Sequence, residues 1–283
     1  MKQLPPEAFG KSLSVVQKAA LQQKIAQHYA GALEGMCNLW LNGLHLGYVN
    51  AKWRERIVRD WRGRLKNRAD GIFLDADDWL SMGDALQHMC RSWHDMGLFG
   101  GWRNECFDVF DGQGGVLFAL ERSAFRPLGL LSRAVHLNGL QQGADGIVRF
   151  WIGRRSPYKA VDPNKLDNLV GGGVAAGEKV EDAVRREAWE EAGVPEHLLH
   201  GAGCLSERQS LRQVSRGLHR ETLYIFDVRL PEGFVPENQD GEVAEFVLME
   251  AHDLAEAMCG GLLMNDALLA TADCFARHGL FEF

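Results

Sequence analysis

RREAWEEAGV, residues 185–194, sets Glu187, Glu190 and Glu191 within one turn of a helix-forming segment that ends on Gly193. At about 100° per residue, Glu190 and Glu191 fall on either side of Glu187, so the three carboxylates share one narrow stripe. Like charges at these spacings cost a helix roughly a few tenths of a kcal/mol per pair. A solvated acidic face tolerates that cost; a bound cation would turn it into attraction.

Extended backwards, the stretch becomes GGVAAGEKVEDAVRREAWEEAGV, residues 172–194. Gly172, Glu178, Arg186, Glu187, Glu190, Glu191 and Gly193, with apolar Ala188 and Val194, resemble the Nudix box at every fixed position. With ordinary residue frequencies, seven fixed matches arise by chance on the order of 10⁻⁸ to 10⁻⁹ per start position. The spacing also has a physical rationale of its own. Val180, Val184, Ala188 and Ala192 form an apolar edge beside the glutamates, so the helix can pack on one side and face a cleft on the next. Hard divalent cations take oxygen ligands and keep open positions for water and phosphate. The glycines at 171–173 let backbone approach a metal or phosphate closely. Val180 stands where many boxes carry a Ser or Thr cap; Glu181 and Asp182 supply first-turn negative charge instead.

The resemblance implies Mg²⁺, with Mn²⁺ as a substitute, held by Glu187, Glu190 and Glu191, and a Glu178–Arg186 pair fixing Gly171 and Gly172 against the helix. Glu190, Arg186, Glu242 and Glu245 are the candidate catalytic residues, the last two taken from DGEVAEF (240–246). Arg154, Arg155 and Lys165 are candidate phosphate ligands, and Asp167 and Asn168 can order the strand entering the glycine loop. Trp189 lies nearly opposite Glu187 and is expected to pack against neighbouring structure.

Outside the box, WIGRRSPYKAVDPNKLDNLVGGG, PENQDGEVAEF and a tryptophan-rich first half resemble two-domain Nudix hydrolases with a thiamine-pyrophosphokinase-related N-terminal domain. That likeness implies hydrolysis of thiamine diphosphate, or its oxidised and antagonist analogues, to the monophosphate. It also implies that the N-terminal half, including Trp102, meets the substrate's ring or serves dimerisation; a homodimer stays open. A nucleoside-diphosphate-linked substrate is the alternative. So is a non-catalytic ligand sensor, although no basic recognition helix is visible. An isomerase of the same fold needs a cysteine before the box, and none occurs between Cys106 and Cys204.

The 283 residues suffice for about two domains. The expected fold class is α/β (α+β): a smaller α+β domain over 1–128, then a Nudix α/β/α sandwich with a mixed sheet over 129–283. Residues 1–34 read as helical on Val16, Ala20 and Leu21. Residues 36–49 and 106–120 read as hairpins, the run 73–97 as a helix opening after Asp75 or Asp77 and stopping at Gly97, and 121–130 as a connector broken by Pro127 and Gly129. Strands follow at LSRAVHLNGL, IVRFWIGRRS, ETLYIFDVRL and EVAEFVLM, with a polar loop over 156–167 and helices over 251–278. Six of eight tryptophans precede residue 103 and are read as core.

A net charge of −7 argues against a nucleic-acid surface. Six scattered cysteines without a CxxC pair suit buried free thiols in a reducing compartment. No apolar run is long enough for a membrane span and no secretory leader is visible, so the expected address is cytoplasmic.

Overall fold

Serine followed three residues later by glutamine opens the first helix. In the computed structural model, which describes residues 3–158 and 162–283, α1 (Val15–Tyr29) begins on a capping box. The Gln17 N–H donates to Ser14 Oγ while the Ser14 N–H donates to Gln17 Oε1. Only Leu21 of the three expected apolar positions is fully buried, and Val16 is 78% exposed. Leu21, with Phe9 and Leu13, packs among Leu254, Met258, Leu269 and Phe275. The opening segment, expected with the N-terminal domain, therefore belongs to the apolar layer of the C-terminal half.

Two extended runs meet at Asn42-Gly43, whose φ values of 44° and 81° suit a tight hairpin turn between β1 (Cys37–Leu41) and β2 (Leu44–Val49). There follow α2 (Ala51–Asp60), β3 (Arg64–Arg68), β4 (Gly71–Asp75) and α3 (Trp79–Asp95). The four strands form one sheet in the order β2-β1-β4-β3, with β1 and β4 parallel. The helix expected to open after Asp75 or Asp77 does so, with Asp78 as its cap, and Ile72, Phe73 and Leu74 before it pair with β1. Asp78 caps α3 by accepting from the Ser81 N–H at 2.7 Å. The predicted stop holds, with Gly97 at φ 72°. A second hairpin, β5 (Cys106–Phe110) and β6 (Val116–Glu121), lies against α3.

Trp53 and Trp93 are fully buried in this half with ring centroids 5.0 Å apart, and Trp61 is nearly so. Trp40, Trp79 and Trp102 are only half-buried. The expected connector contains a short helix, α4 (Phe125–Leu128), and is packed rather than loose. A side-chain carbon on Gly129, at φ 57°, would fall 2.0 Å from the Tyr48 carbonyl oxygen.

The remaining strands alternate side chains between two layers. They are β7 (Ser132–Gln142), β8 (Val148–Arg155), β9 (Leu166–Asp167) and β10 (Val170–Gly173), then, after helix α5 (Val180–Ala192), β11 (Ser206–Val214), β12 (Gly217–Leu230) and β13 (Val243–Glu250). Their order is β11-β12-β7-β8-β13, with β10 on β7 and β9 on β8; β12 and β7 run parallel, so the sheet is mixed. Phe150, Ile152, Leu223 and Ile225 face α1, α6 (Ala251–Cys259) and α7 (Asn265–Arg277). Val135, Leu137, Phe226 and Val228 face α5, against Val184, Ala188 and Ala192. The result is the expected α/β/α sandwich preceded by an α+β region.

Lys159 to Val161, within the polar loop, lie outside the described residues. Among those described, no helix is long and apolar enough to cross a membrane. Cys90 and Cys274 are buried as expected of structural thiols, whereas Cys204 is exposed and Cys37, Cys106 and Cys259 are half-buried.

Candidate metal and phosphate site

The site is built by a glycine strand, a loop and one helix. β10 hydrogen-bonds along β7 and hands the chain to a loop that enters α5 at Lys179, with Glu181 and Asp182 in the first turn. Gly193, at φ 60°, ends the helix in the left-handed conformation. Glu178 accepts from Arg186 Nε and Nη2, both at 2.9 Å, and from the Ala175 N–H at 3.0 Å. Arg186 also donates to the Gly173 carbonyl (3.2 Å), to Glu187 Oε1 (2.8 Å) and to Glu190 Oε2 (3.2 Å). The Gly171 N–H donates to Glu191 Oε2 at 2.9 Å. β5 of the N-terminal half braces this loop, since the Gly177 N–H donates to Asp108 Oδ2 at 2.8 Å and the Ala176 N–H to the Cys106 carbonyl at 2.8 Å.

Close packing explains two of the glycines. A side-chain carbon on Gly172 would lie 2.0 Å from Glu187 Cδ, and one on Gly173 would lie 2.5 Å from Phe107 Cζ. The Glu187 carboxylate is therefore seated directly over backbone. Burial raises its pKa above the ordinary carboxylate value; Arg186 opposes the shift and neighbouring Glu190 adds to it. Burial also works against Glu178, but the Arg186 hydrogen bonds and the Ala175 N–H outweigh it and hold that carboxyl below its ordinary value. Glu191 is buried, while the Glu190 side chain is 45% exposed. Hard oxygen donors crowded on one turn, one of them resisting ionisation for want of solvation, suit a divalent cation.

The glutamates open onto a cleft of about 330 Å³ between the two halves of the molecule. Residues 134–263 match the family described as NUDIX domain. This segment is a Nudix domain. The chain is 34% identical to "Nudix hydrolase 20, chloroplastic" of Arabidopsis thaliana, over 84% of its own length and 66% of that protein's. It is also 34% identical to "Nudix hydrolase 24, chloroplastic" of the same plant, over 70% of its own length and 54% of the relative's. The chain thus spans between about half and two thirds of these curated relatives. A crystal structure from Deinococcus radiodurans is 25% identical, covering 60% of this chain and 99% of that one, with a TM-score of 0.46.

Around the Nudix domain's cleft the structure gathers Gly171, Gly172, Arg186, Glu187, Glu190, Glu191, Arg155 and Glu242. Arg155 donates to Asp167 Oδ2 at 2.8 Å, and Glu242 lies 3.6 Å from Arg103. Arg154, Glu245 and Lys165 do not line it. Neighbours on a strand point to opposite faces, so Arg154 and Arg155 cannot both enter. Arg154 instead pairs with Glu245 across β8 and β13, and Lys165 pairs with Asp162 at 3.6 Å. Asn168 ties β9 and β10 to the core through His136, Asn138 and Thr271. Trp189, expected to pack, is 56% exposed because it lies on the side of α5 away from the sheet. Among the described residues no tryptophan lines the cleft; Trp102 lies against Arg91 and His94.

Residues not anticipated from sequence include Arg103, Glu105, Arg122, Arg126, His136, His219, Glu221 and Asp266. Alternation along β7 and β12 could have nominated His136 and His219; the arginines carry no local signal beyond a charged connector. The placement outside the cleft has a measurable consequence. Arg154→Ala is expected to leave kcat/KM for a diphosphate substrate within about threefold, since it removes only an exposed pair. A loss of tenfold or more would return Arg154 to the site.

Proposed function

We propose that this protein hydrolyses the P–O–P linkage of a small diphosphate with the help of a divalent cation, Mg²⁺ first and Mn²⁺ as a substitute. The observation that carries the reading is the seating of a half-buried Glu187 and a buried Glu191 beside Glu190, on one turn facing a cleft rich in arginine. Those three carboxylates would hold the cation. Bound there, it would lower the pKa of water and neutralise charge on the bridging and non-bridging oxygens.

The chain's own residues do the rest. Arg186 holds Glu178, Glu187 and Glu190 in register, and the Gly171 N–H orients Glu191. Glu242 enters the cleft from the loop just before β13 and is assigned the proton released by the attacking water, with Glu190 as the other acceptor lining the site. Water adds to one phosphorus, the bridging P–O bond breaks, and two phosphate products leave.

Thiamine diphosphate or its oxidised and antagonist analogues are the substrates we assign, converted to the monophosphate. Support comes from the likeness of residues 151–173, 236–246 and the tryptophan-rich first half to two-domain Nudix hydrolases. The test is mass-spectrometric product analysis with Mg²⁺, offering thiamine diphosphate, its oxidised analogues and a nucleoside-diphosphate panel. Monophosphate from the thiamine group is the expected product. Turnover of nucleoside diphosphates alone would discard the thiamine assignment and keep the chemistry; no turnover would favour a ligand sensor.

A further inference from the structure

The cleft has a second wall, made of arginine. Arg103, just before the second hairpin, Arg122, between that hairpin and α4, and Arg126, within α4, line the same cavity as Glu187 and Glu190. Arg216, at the turn between β11 and β12, joins all three in a narrower recess of about 120 Å³ that adjoins it. Arg122 is near enough to Glu187 to favour that residue's carboxylate form, so the two walls interact electrostatically. Within the recess the guanidiniums disfavour one another. Burial lowers the pKa of Arg216, and Arg126, Arg122 and Arg103 lower it further.

The available partners do not account for this concentration of charge. Arg103 lies beside Glu242, Arg122 pairs with Glu105, and Arg216 Nη1 donates to the Gly100 carbonyl at 3.3 Å. Glu221 is held by Ser132 at 2.7 Å. The half-buried Arg126 side chain has no hydrogen bond or ion pair among the described residues; burial lowers its pKa, and the more distant Glu221 and Asp266 only partly oppose that shift. A desolvated guanidinium without a hydrogen-bonding partner is costly, and several guanidiniums converging on one recess are a site for an oxyanion. A terminal phosphate carries close to two charges near neutral pH and three acceptor oxygens, whereas a phosphate within a doubly substituted chain carries one charge.

We infer that Arg103, Arg122, Arg126 and Arg216 form a subsite for the terminal phosphate of the substrate, the group that leaves as orthophosphate. The consequence is a substrate class. Singly substituted diphosphates, with a free terminal phosphate, are favoured over diphosphates substituted at both ends. This deepens the hydrolase reading and rests on it for turnover, though the anion subsite exists without the cation.

Two measurements on the full chain separate the claims. In calorimetry with EDTA present, wild-type protein is expected to bind orthophosphate, Arg126→Ala to bind it at least about tenfold more weakly, and Glu190→Gln to bind it no more weakly than wild type. Arg126→Lys retains charge but not the two-pronged donor set, and serves where the alanine variant misfolds; about threefold or greater weakening is expected. With Mg²⁺, Arg126→Ala or Arg126→Lys should raise KM for ADP or thiamine diphosphate at least fivefold more than for ADP-ribose. Phosphate affinity untouched by both Arg126 substitutions, or an equal change in KM for both substrate types, would overturn the subsite. Metal-free phosphate binding that depends on Arg126, in a protein that turns over no diphosphate, would uphold the subsite and overturn the hydrolase reading.

Discussion

Glu190→Gln should lower kcat by about 10²- to 10⁴-fold with Mg²⁺ saturating, and leave the thermal unfolding midpoint within a few degrees of wild type. The substitution preserves volume and removes one negative charge from the metal-facing stripe. Glu190 can bear the change because its side chain is 45% exposed and its contact in the chain is Arg186 Nη1 at 3.2 Å. Arg186 keeps its two bonds to Glu178 and the one to Glu187, so the loop stays fixed to the helix. Steady-state kinetics beside a melting curve checks both halves of the expectation. A kcat within twofold of wild type would remove Glu190 from the catalytic set.

Gly172→Ala should damage both stability and turnover. The added carbon would lie 2.0 Å from Glu187 Cδ and 2.2 Å from Oε1, closer than any real packing contact. Either the carboxylate leaves its seat or β10 shifts along β7, and overpacking of this kind costs about 1–3 kcal/mol. Because Glu187 is one of the proposed ligands, kcat should fall at least about 10²-fold, as for loss of a transition-state interaction. Gly177→Ala is the useful contrast. Gly177 has φ 75° with nothing within 4 Å of the added carbon, so alanine there should cost about 1 kcal/mol of backbone strain and leave the glutamates seated. Equal loss of turnover in the two variants would show that loop conformation, not the space over Gly172, controls the site.

The metal-facing stripe was readable because every residue in it belongs to one helix and the loop before it. Helical period, capping by Gly193 and the Glu178–Arg186 spacing are all local, and the structure joins them by short hydrogen bonds. The hairpins were readable for a similar reason: Asn42-Gly43 and the GQGG turn announce chain reversal within a few residues. Local signals mislead where tertiary pairing decides. Phe73 and Leu74 stand just before the expected helix with no strand partner in view, and β1, over thirty residues earlier, recruits them into a sheet. Leu21 says only that α1 has an apolar side; which layer it covers is set by α6 and α7 over two hundred residues away.

The arginine wall illustrates the same limit for function. Arg122 and Arg126 belong to a charged connector, and Arg103 and Arg216 carry no signal in the sequence at all. Folding α4 against β12 and β5 of the second hairpin against β7 brings them to one recess. Arg154 and Arg155 show a weaker version: period-two alternation says that only one can enter the cleft, but not which one until the sheet's faces are assigned.

The most direct test of the proposed chemistry is a titration of the full chain with Mn²⁺ followed by electron paramagnetic resonance, comparing wild type with Glu187→Gln and Glu190→Gln. Mn²⁺ binding by the wild type, weakened at least about tenfold by each substitution, is the predicted result. Equal Mn²⁺ affinity in all three proteins would contradict a cation held by these glutamates, and with it the reason offered for their place on one turn.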